Sequence, residues 1–262
     1  MITSTLTRNF EPAALDDGED FLFINRHVTK YLFSPELLNL ILEKLTDRYQ
    51  VLYINNHYIQ DYESLYFDNK DFKFYLDHHN RKLNRYKVRF RKYLDSKNIF
   101  IEIKFKDNKN QTRKWRKKIN RSTYSKGTLT KQEVRFINTF FRSNPGRLFP
   151  KFTVAFSRFT LIHKKHKERV TIDLDLSYLK GNEERKFKNI SIAEVKQETF
   201  SQNSSFFNVM RELRIMPMRF SKYCFGIYQF YPALKYNRFK PRNLFIERKY
   251  HANLVNKEDC ND

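Results

Sequence analysis

Arg85-Tyr86-Lys87-Val88-Arg89-Phe90-Arg91-Lys92-Tyr93 is the stretch on which the reading of this chain turns. With the period of two that a β-strand imposes, Arg85, Lys87, Arg89 and Arg91 share one face, and Tyr86, Val88 and Phe90 share the other. Cations two residues apart on a strand lie about 6.6–6.8 Å apart. At an effective dielectric of about 20 each neighbouring pair repels by roughly 2–2.5 kcal/mol, and in open water by well under about 1 kcal/mol. Such a row is either a solvated outer face or the wall of a site that expects a polyanion.

The same two-faced pattern recurs outward from this strand. Residues 99–106 set Glu102, Lys104 and Lys106 against Ile101, Ile103 and Phe105, and residues 112–119 return with Thr112, Lys114 and Arg116 on one face. Residues 152–162 carry Arg158. Residues 169–178 set Arg169, Thr171, Asp173, Asp175 and Ser177 against Val170, Ile172, Leu174, Leu176 and Tyr178. Glu194 and Lys196 share a face of a strand at 190–198, and Lys30 lies on one at 26–33. Further strands are predicted at 21–25, 49–53 and 58–67. Ser34-Pro35-Glu36 predicts a helix start, with Ser as N-cap and Pro in the first turn, for a helix ending near Arg48. Helices are also predicted at 131–142 and 205–215, and a short helix or turn at 72–79. Residues 231–250 are basic and aromatic and receive no assignment.

Strands with an ionic face opposite an apolar face predict an α+β fold. Its centre is a closed antiparallel β-barrel, with a charged lumen and an apolar outside covered by flanking helices. The competing fold is a flat sheet with helices on one side and a broad basic surface.

Composition narrows the partners. The 262 residues carry 51 Lys and Arg against 29 Asp and Glu, a net charge of +22. This excess implies nucleic acid, anionic lipid, nucleotides or polyphosphate as partners. A hydrophobic share of 40% with only 5 Gly and 7 Pro supports a packed core. Two widely separated cysteines, Cys224 and Cys260, make no disulfide framework. No apolar run approaches the ~18–20 residues that span a bilayer. The expected organisation is a flexible lead-in at 1–20, one domain at 21–250 and a flexible tail at 251–262, in a soluble, cytoplasmic protein.

An ordered set of short stretches resembles a known family. The set is Tyr66-Phe67-Asp68; Tyr75 with Asp77-His78-His79-Asn80; Leu83 through Arg91; Ile101-Glu102-Ile103-Lys104; Thr112-Arg113-Lys114-Trp115-Arg116; Ser157-Arg158; Arg169-Val170-Thr171-Ile172-Asp173; Ala193-Glu194-Val195-Lys196; and Phe220-Ser221-Lys222-Tyr223. Together these resemble the VTC domain, the polyphosphate polymerase of the triphosphate tunnel (CYTH-like) superfamily. The resemblance implies an eight-stranded tunnel, ATP as substrate and inorganic polyphosphate as product. It also implies a divalent metal, Mn²⁺ or Mg²⁺; the translocation and regulation known for the family's eukaryotic complexes do not transfer, and a membrane-protein partner is left open. By position it implies that Arg89, Arg91, Lys104, Lys114, Arg158, Arg169 and Lys222 act on phosphates. Lys30, Lys87 and Lys196 would add to the substrate wall, and Glu194 would hold the metal. Hydrolases of the superfamily carry Glu-x-Glu-x-Lys near the N-terminus; here the positions read Arg26, Val28 and Lys30. Asn110 and Arg81 stand where many relatives have Gly.

Other residues invite blander readings. Glu102 reads as an ion-pair partner of nearby cations. Asp173 and Asp175 read as metal ligands or as salt-bridge partners of Arg169 or another lumen cation. His78 and His79 read as structural, His163 and His166 as solvated, and Trp115 as core or barrel exterior. Three functions remain open: a metal-dependent polyphosphate polymerase, a triphosphate hydrolase or nucleotide cyclase on the same tunnel, and a non-catalytic polyanion-binding module. Nucleic acid is disfavoured because the aromatics fall mostly on the face opposite the cations.

Overall fold

The computed structural model describes residues 9–14, 27–109, 111–187, 189–250 and 255–256. The strand expected at 21–25, Arg26, Asn110, and most of the expected lead-in and tail lie outside the described residues. In chain order the elements are β1 (Pro12–Ala13), β2 (His27–Phe33), α1 (Leu38–Glu43), β3 (Tyr49–Leu52), β4 (Gln60–Asn69), α2 (Lys73–His79), β5 (Arg85–Tyr93), β6 (Ile99–Lys106) and β7 (Thr112–Lys118). There follow α3 (Arg121–Lys126), α4 (Lys131–Phe140), β8 (Leu148–His163), β9 (Glu168–Lys180), β10 (Glu183–Phe187), β11 (Ser191–Gln197), α5 (Ser205–Glu212), α6 (Lys222–Phe230) and α7 (Lys240–Tyr250).

Eight strands form one continuous antiparallel ladder in the order β2-β11-β9-β8-β4-β5-β6-β7. The sheet is curled into a half-barrel with flanking helices. No ladder joins its edge strands, β2 and β7, among the described residues, so the expected closure is not made by hydrogen bonds. Long β8 and β9 bend at a register shift between Ala155 and Ser157, where Asp175 takes φ of +50°. A bulge of this kind sharpens a sheet's curl.

The outer apolar faces are covered in two places. Val88, Phe90, Ile101 and Ile103 of β5 and β6 join Phe74 and Tyr75 of α2 and Ile137 of α4 in one core. Leu161, Val170, Ile172 and Val195 of β8, β9 and β11 join Ile41 and Leu42 of α1 and Phe206 and Met210 of α5 in another. Part of the expected lead-in is docked on the second: β1 pairs parallel with β3, and Phe10 is buried there.

Some expectations are corrected. The helix after Ser34 is a 3-10 turn (Pro35–Leu37) running into the short α1, and Ser34 makes no side-chain cap. The short helix expected at 72–79 is present as α2, with His78 and His79 in its last turn; His79 is buried, and burial lowers the His78 pKa to about 2. His163 is buried, not solvated, because its ring packs edge-on against Tyr49 and its Nδ1 accepts from the Lys165 and His166 amides. Trp115 packs face-on against Phe140 of α4, as core or exterior packing requires. Arg81 takes φ of +57°, in the left-handed region that favours glycine. The unassigned residues 231–250 supply α7, whose Ile246 is buried and whose Tyr250 hydroxyl donates to the Leu32 carbonyl.

Candidate functional site

Residues directly opposite in an antiparallel pair share a face of the sheet, so register alone assembles the inner wall. Lys30 of β2 faces Glu194 of β11, which faces Thr171 of β9. Lys196 faces Arg169, and Asp173 faces Arg158 of β8. Across the other half, Arg89 of β5 faces Glu102 of β6, while Lys87, Lys104 and Lys114 stand in one row. The phosphate-binding set expected from the sequence therefore lies on one face of one sheet. Lys222 reaches it from the first turn of α6, where the Ser221 hydroxyl caps the Cys224 amide.

Two carboxylates hold four of these cations. Glu102, almost fully buried, takes Arg89 (Nη2–Oε2 2.6 Å) and Lys114 (Nζ–Oε1 2.7 Å). Asp173, equally buried, takes Arg158 through two nitrogens, the Nη2–Oδ2 contact at 2.9 Å, and also Lys222. Burial alone would raise both carboxyls. The cations outweigh it and hold Glu102 and Asp173 below the ordinary carboxylate range. Burial also opposes the charges on Arg89 and Arg158, yet their carboxylate partners leave both pKa values raised. Of the two roles open to Asp173, the structure gives it the salt bridge, to Arg158 and Lys222; Asp175 is exposed at the bulge.

Glu194 is set differently. Its carboxylate contacts Lys30 at 2.9 Å and Lys196 at 3.2 Å. Burial would raise it, and Lys30, Lys196 and Lys104 hold it well below the usual range. Beside it on β9, the buried Thr171 Oγ1 has no hydrogen-bond partner among the described residues. No group of three or more His, Cys, Asp or Glu stands ready to hold a metal among the described residues. A divalent ion would thus meet one protein carboxylate and a nearby hydroxyl. That donor set fits an ion arriving on phosphate oxygens, which supply the remaining hard ligands.

The inner face also holds aromatics that sequence reasoning put elsewhere. Tyr62, Ser64 and Tyr66 of β4 and Phe152, Val154 and Phe156 of β8 stand opposite one another and in line with Arg91 and Arg89. Buried Arg91 lies over Tyr62 (5.0 Å) and Phe156 (5.5 Å), and burial lowers its pKa. Arg158 and Lys222 also meet Phe156. The alternation Tyr62-x-Ser64-x-Tyr66 was the available signal, and only its pairing with β5 shows which face it takes. These rings are packed against cations and each other rather than offered to bases.

One end of this wall is floored by α6. Tyr223 lies parallel to Phe152 with its hydroxyl on buried Asp68, and Gly226 lets the helix come down on the Phe152 ring, where a Cβ would meet ring carbons at 2.3 Å. Lys87 Nζ donates to Ser221 Oγ at 2.9 Å, and Lys30 Nζ to the Phe220 carbonyl at 3.3 Å, tying opposite walls to the floor. Burial lowers the pKa of both Lys87 and Lys222 to about 8.

A family model described as the VTC domain matches residues 25–231. Among solved structures, a candidate adenylate cyclase from Bacillus halodurans superposes with a TM-score of 0.50 at 14% identity, covering 79% of this chain and 97% of that one. A candidate adenylyl cyclase from Hippeastrum, reported to have a dominant triphosphatase activity, gives 0.50 at 12% identity over 77% and 95%. At such identities the likeness is one of fold. No curated protein matches the chain.

Proposed function

The chain belongs to the VTC domain family, and we propose that it is a metal-dependent polyphosphate polymerase. A terminal phosphate oxygen of the growing chain attacks the γ-phosphorus of ATP. The bond from that phosphorus to the β-phosphate oxygen breaks, ADP leaves, and the chain is one phosphate longer. The nucleophile is already ionised, so no general base is needed. Phosphoryl transfer asks a protein chiefly for positioning and for neutralisation of spread charge.

The observation that carries the reading is the convergence of Lys30, Lys87, Arg89, Arg91, Lys104, Lys114, Arg158, Arg169, Lys196 and Lys222 on one face with Glu194 among them. Arg89 and Arg158 present planar donor forks already oriented by Glu102 and Asp173. Lys222 and Lys87, at the floor, bring charge to the innermost phosphate. When bound, Mn²⁺ or Mg²⁺ supplies charge neutralisation at the phosphate oxygens; Glu194 would hold it, with the Thr171 hydroxyl beside it. A cytoplasmic setting belongs to the same reading.

The second reading, a triphosphate hydrolase, is favoured by the activity reported for the Hippeastrum neighbour. Against it, Val28 brings no carboxylate to its position opposite Lys196. The test is purified protein with ATP and Mn²⁺, run on a polyphosphate-staining gel beside Arg89→Ala and Glu194→Ala. A polymer ladder lost in both variants is expected. Free phosphate without polymer would replace the polymerase with the hydrolase, and neither product would leave a binding module.

A further inference from the structure

Residues 108–147 carry twelve Lys and Arg and a single acid, Glu133. That acid is buried and turned inward, accepting from the Thr130 amide at 3.0 Å in the capping box of α4. Nothing in this segment offsets the positive charge of β7, α3 and α4. The alternation of β7 splits its cations: Lys114 and Arg116 stand on the inner face, while Arg113 and Lys117 flank Trp115 on the outer one. Trp115 stacks on Phe140 at 4.6 Å, which places Arg113 and Lys117 beside α4 and its exposed Lys131 and Arg135. Among the described residues β7 is also an edge strand with no further strand beyond it. Positive charge thus runs without a break from the inner wall, over the sheet edge, onto the outside.

We infer that this β7–α4 face is an outer binding track for inorganic polyphosphate, taking the part of a long chain that projects beyond the tunnel. The inference rests on the proposed polymerase reading for the origin of the chain. The α6 floor closes one end of the wall, so a long chain must leave past the other end or over the open edge at β7. The chemistry of the face fits a bare phosphate chain. Its aromatic rings are occupied: Trp115 against Phe140, Phe136 edge-on to Phe140, and Tyr86 against Phe141 at 3.9 Å. Among the described residues of this face no ring is left to stack on a base, as single-stranded nucleic acid binding requires. Val134 is the one large apolar side chain exposed in the segment among the described residues, too little for insertion into a bilayer.

The test uses the full chain and a variant with Arg113→Gln, Lys117→Gln, Lys131→Gln and Arg135→Gln, none of which belongs to the inner wall. Binding of a labelled polyphosphate of about 100 phosphates and of tripolyphosphate is measured against salt. Long-chain affinity should fall about 30-fold, the sum of four exposed charge contacts of ordinary strength. The slope of log K against log salt should flatten by about 3. Tripolyphosphate, which fills the inner wall alone, should bind both proteins equally. Unchanged long-chain binding would overturn the track, as would an equal loss for both ligands, which reports damage to the tunnel. Poly(U) RNA and phosphatidylserine vesicles are the competing arms; patch-dependent binding to either as tight as to polyphosphate would overturn the choice of ligand. Failure of the gel assay with this result intact would remove the polymerase and leave the track.

Discussion

Asp173→Asn separates a carboxylate that holds the site together from one that serves the ligand. Asp173 is buried and touches both Arg158 and Lys222. Removing its charge leaves two neighbouring cations buried without a counter-ion. Breaking a buried ion pair costs about 3–5 kcal/mol. Asn keeps the shape and one acceptor, so the lower end, about 3 kcal/mol, applies. For a chain of this size that is a fall in Tm of about 6–12 °C. Tripolyphosphate should offset about half of the loss, because it supplies the missing negative charge and no longer meets that of Asp173. If relief of that repulsion raises affinity about tenfold, the variant gains about 1.4 kcal/mol more from saturating ligand than the wild type does. The assay is thermal unfolding of both proteins without metal, with and without tripolyphosphate. The reasoning is refuted if Asp173→Asn leaves the apo Tm within about 2 °C of wild type and the ligand-induced shift shrinks. That pattern would make Asp173 a metal or ligand group, the alternative open in the sequence.

Gly226→Ala tests the floor. A methyl group there meets the Phe152 ring at 2.3 to 2.9 Å, and overpacking of this kind costs about 1–3 kcal/mol; a lower Tm with weaker tripolyphosphate binding is expected, and an unchanged Tm would mean that α6 does not seat on Phe152. Lys87 and Lys222, with folded pKa values of about 8 against an ordinary 10.5, predict coupled protonation. Phosphate favours their charged forms, so binding should take up about one proton in total at pH 8, and affinity should fall as pH rises through 8. Because both values are depressed, the unfolded chain binds more protons between about 8 and 10.5, and apo stability should rise with pH across that window. Calorimetry in buffers of different ionisation enthalpy reads the uptake, and a value of zero would refute the lysine assignment.

Much of this site was legible because strands have a period of two. Arg85–Tyr93 fixed which cations share a face, and the same alternation in residues 99–106 put Glu102 on the face of Lys104 as an ion-pair partner; the β5–β6 register then made Arg89 one of its partners. What one strand cannot reveal is its partner. Tyr62 and Tyr66 read equally well as outer residues until pairing with Arg91 and Arg89 turns them inward. Asp173 had several cations in reach, and the β8 register with the α6 turn selected Arg158 and Lys222. The floor was hidden for another reason: residues 222–230 are apolar almost all round, and only Gly226 hints at the close approach to Phe152. His163 was misplaced because its Lys-rich neighbours outweighed a single buried contact with Tyr49.

The three carboxylates of the inner wall explain how so cationic a surface can fold and still act. The ten Lys and Arg assigned to phosphate, with no counter-charge, would repel at every level of the half-barrel. Glu102 and Asp173 hold four of them, each joining an Arg to a Lys, so the guanidinium planes are oriented before a phosphate arrives. Orientation fixed in folding is not lost again on binding, which favours both affinity and rate. Neither carboxylate neutralises its cluster fully, and the surplus is what a polyanion gains by entering. Glu194 is held instead by Lys30 and Lys196, mobile point charges on long stems. Of the three, it can exchange its partners with least loss of geometry. On the proposed reading, Glu194 would hold the divalent ion and Lys30 and Lys196 would serve phosphate, so one wall supplies fixed forks and the other an exchangeable pair.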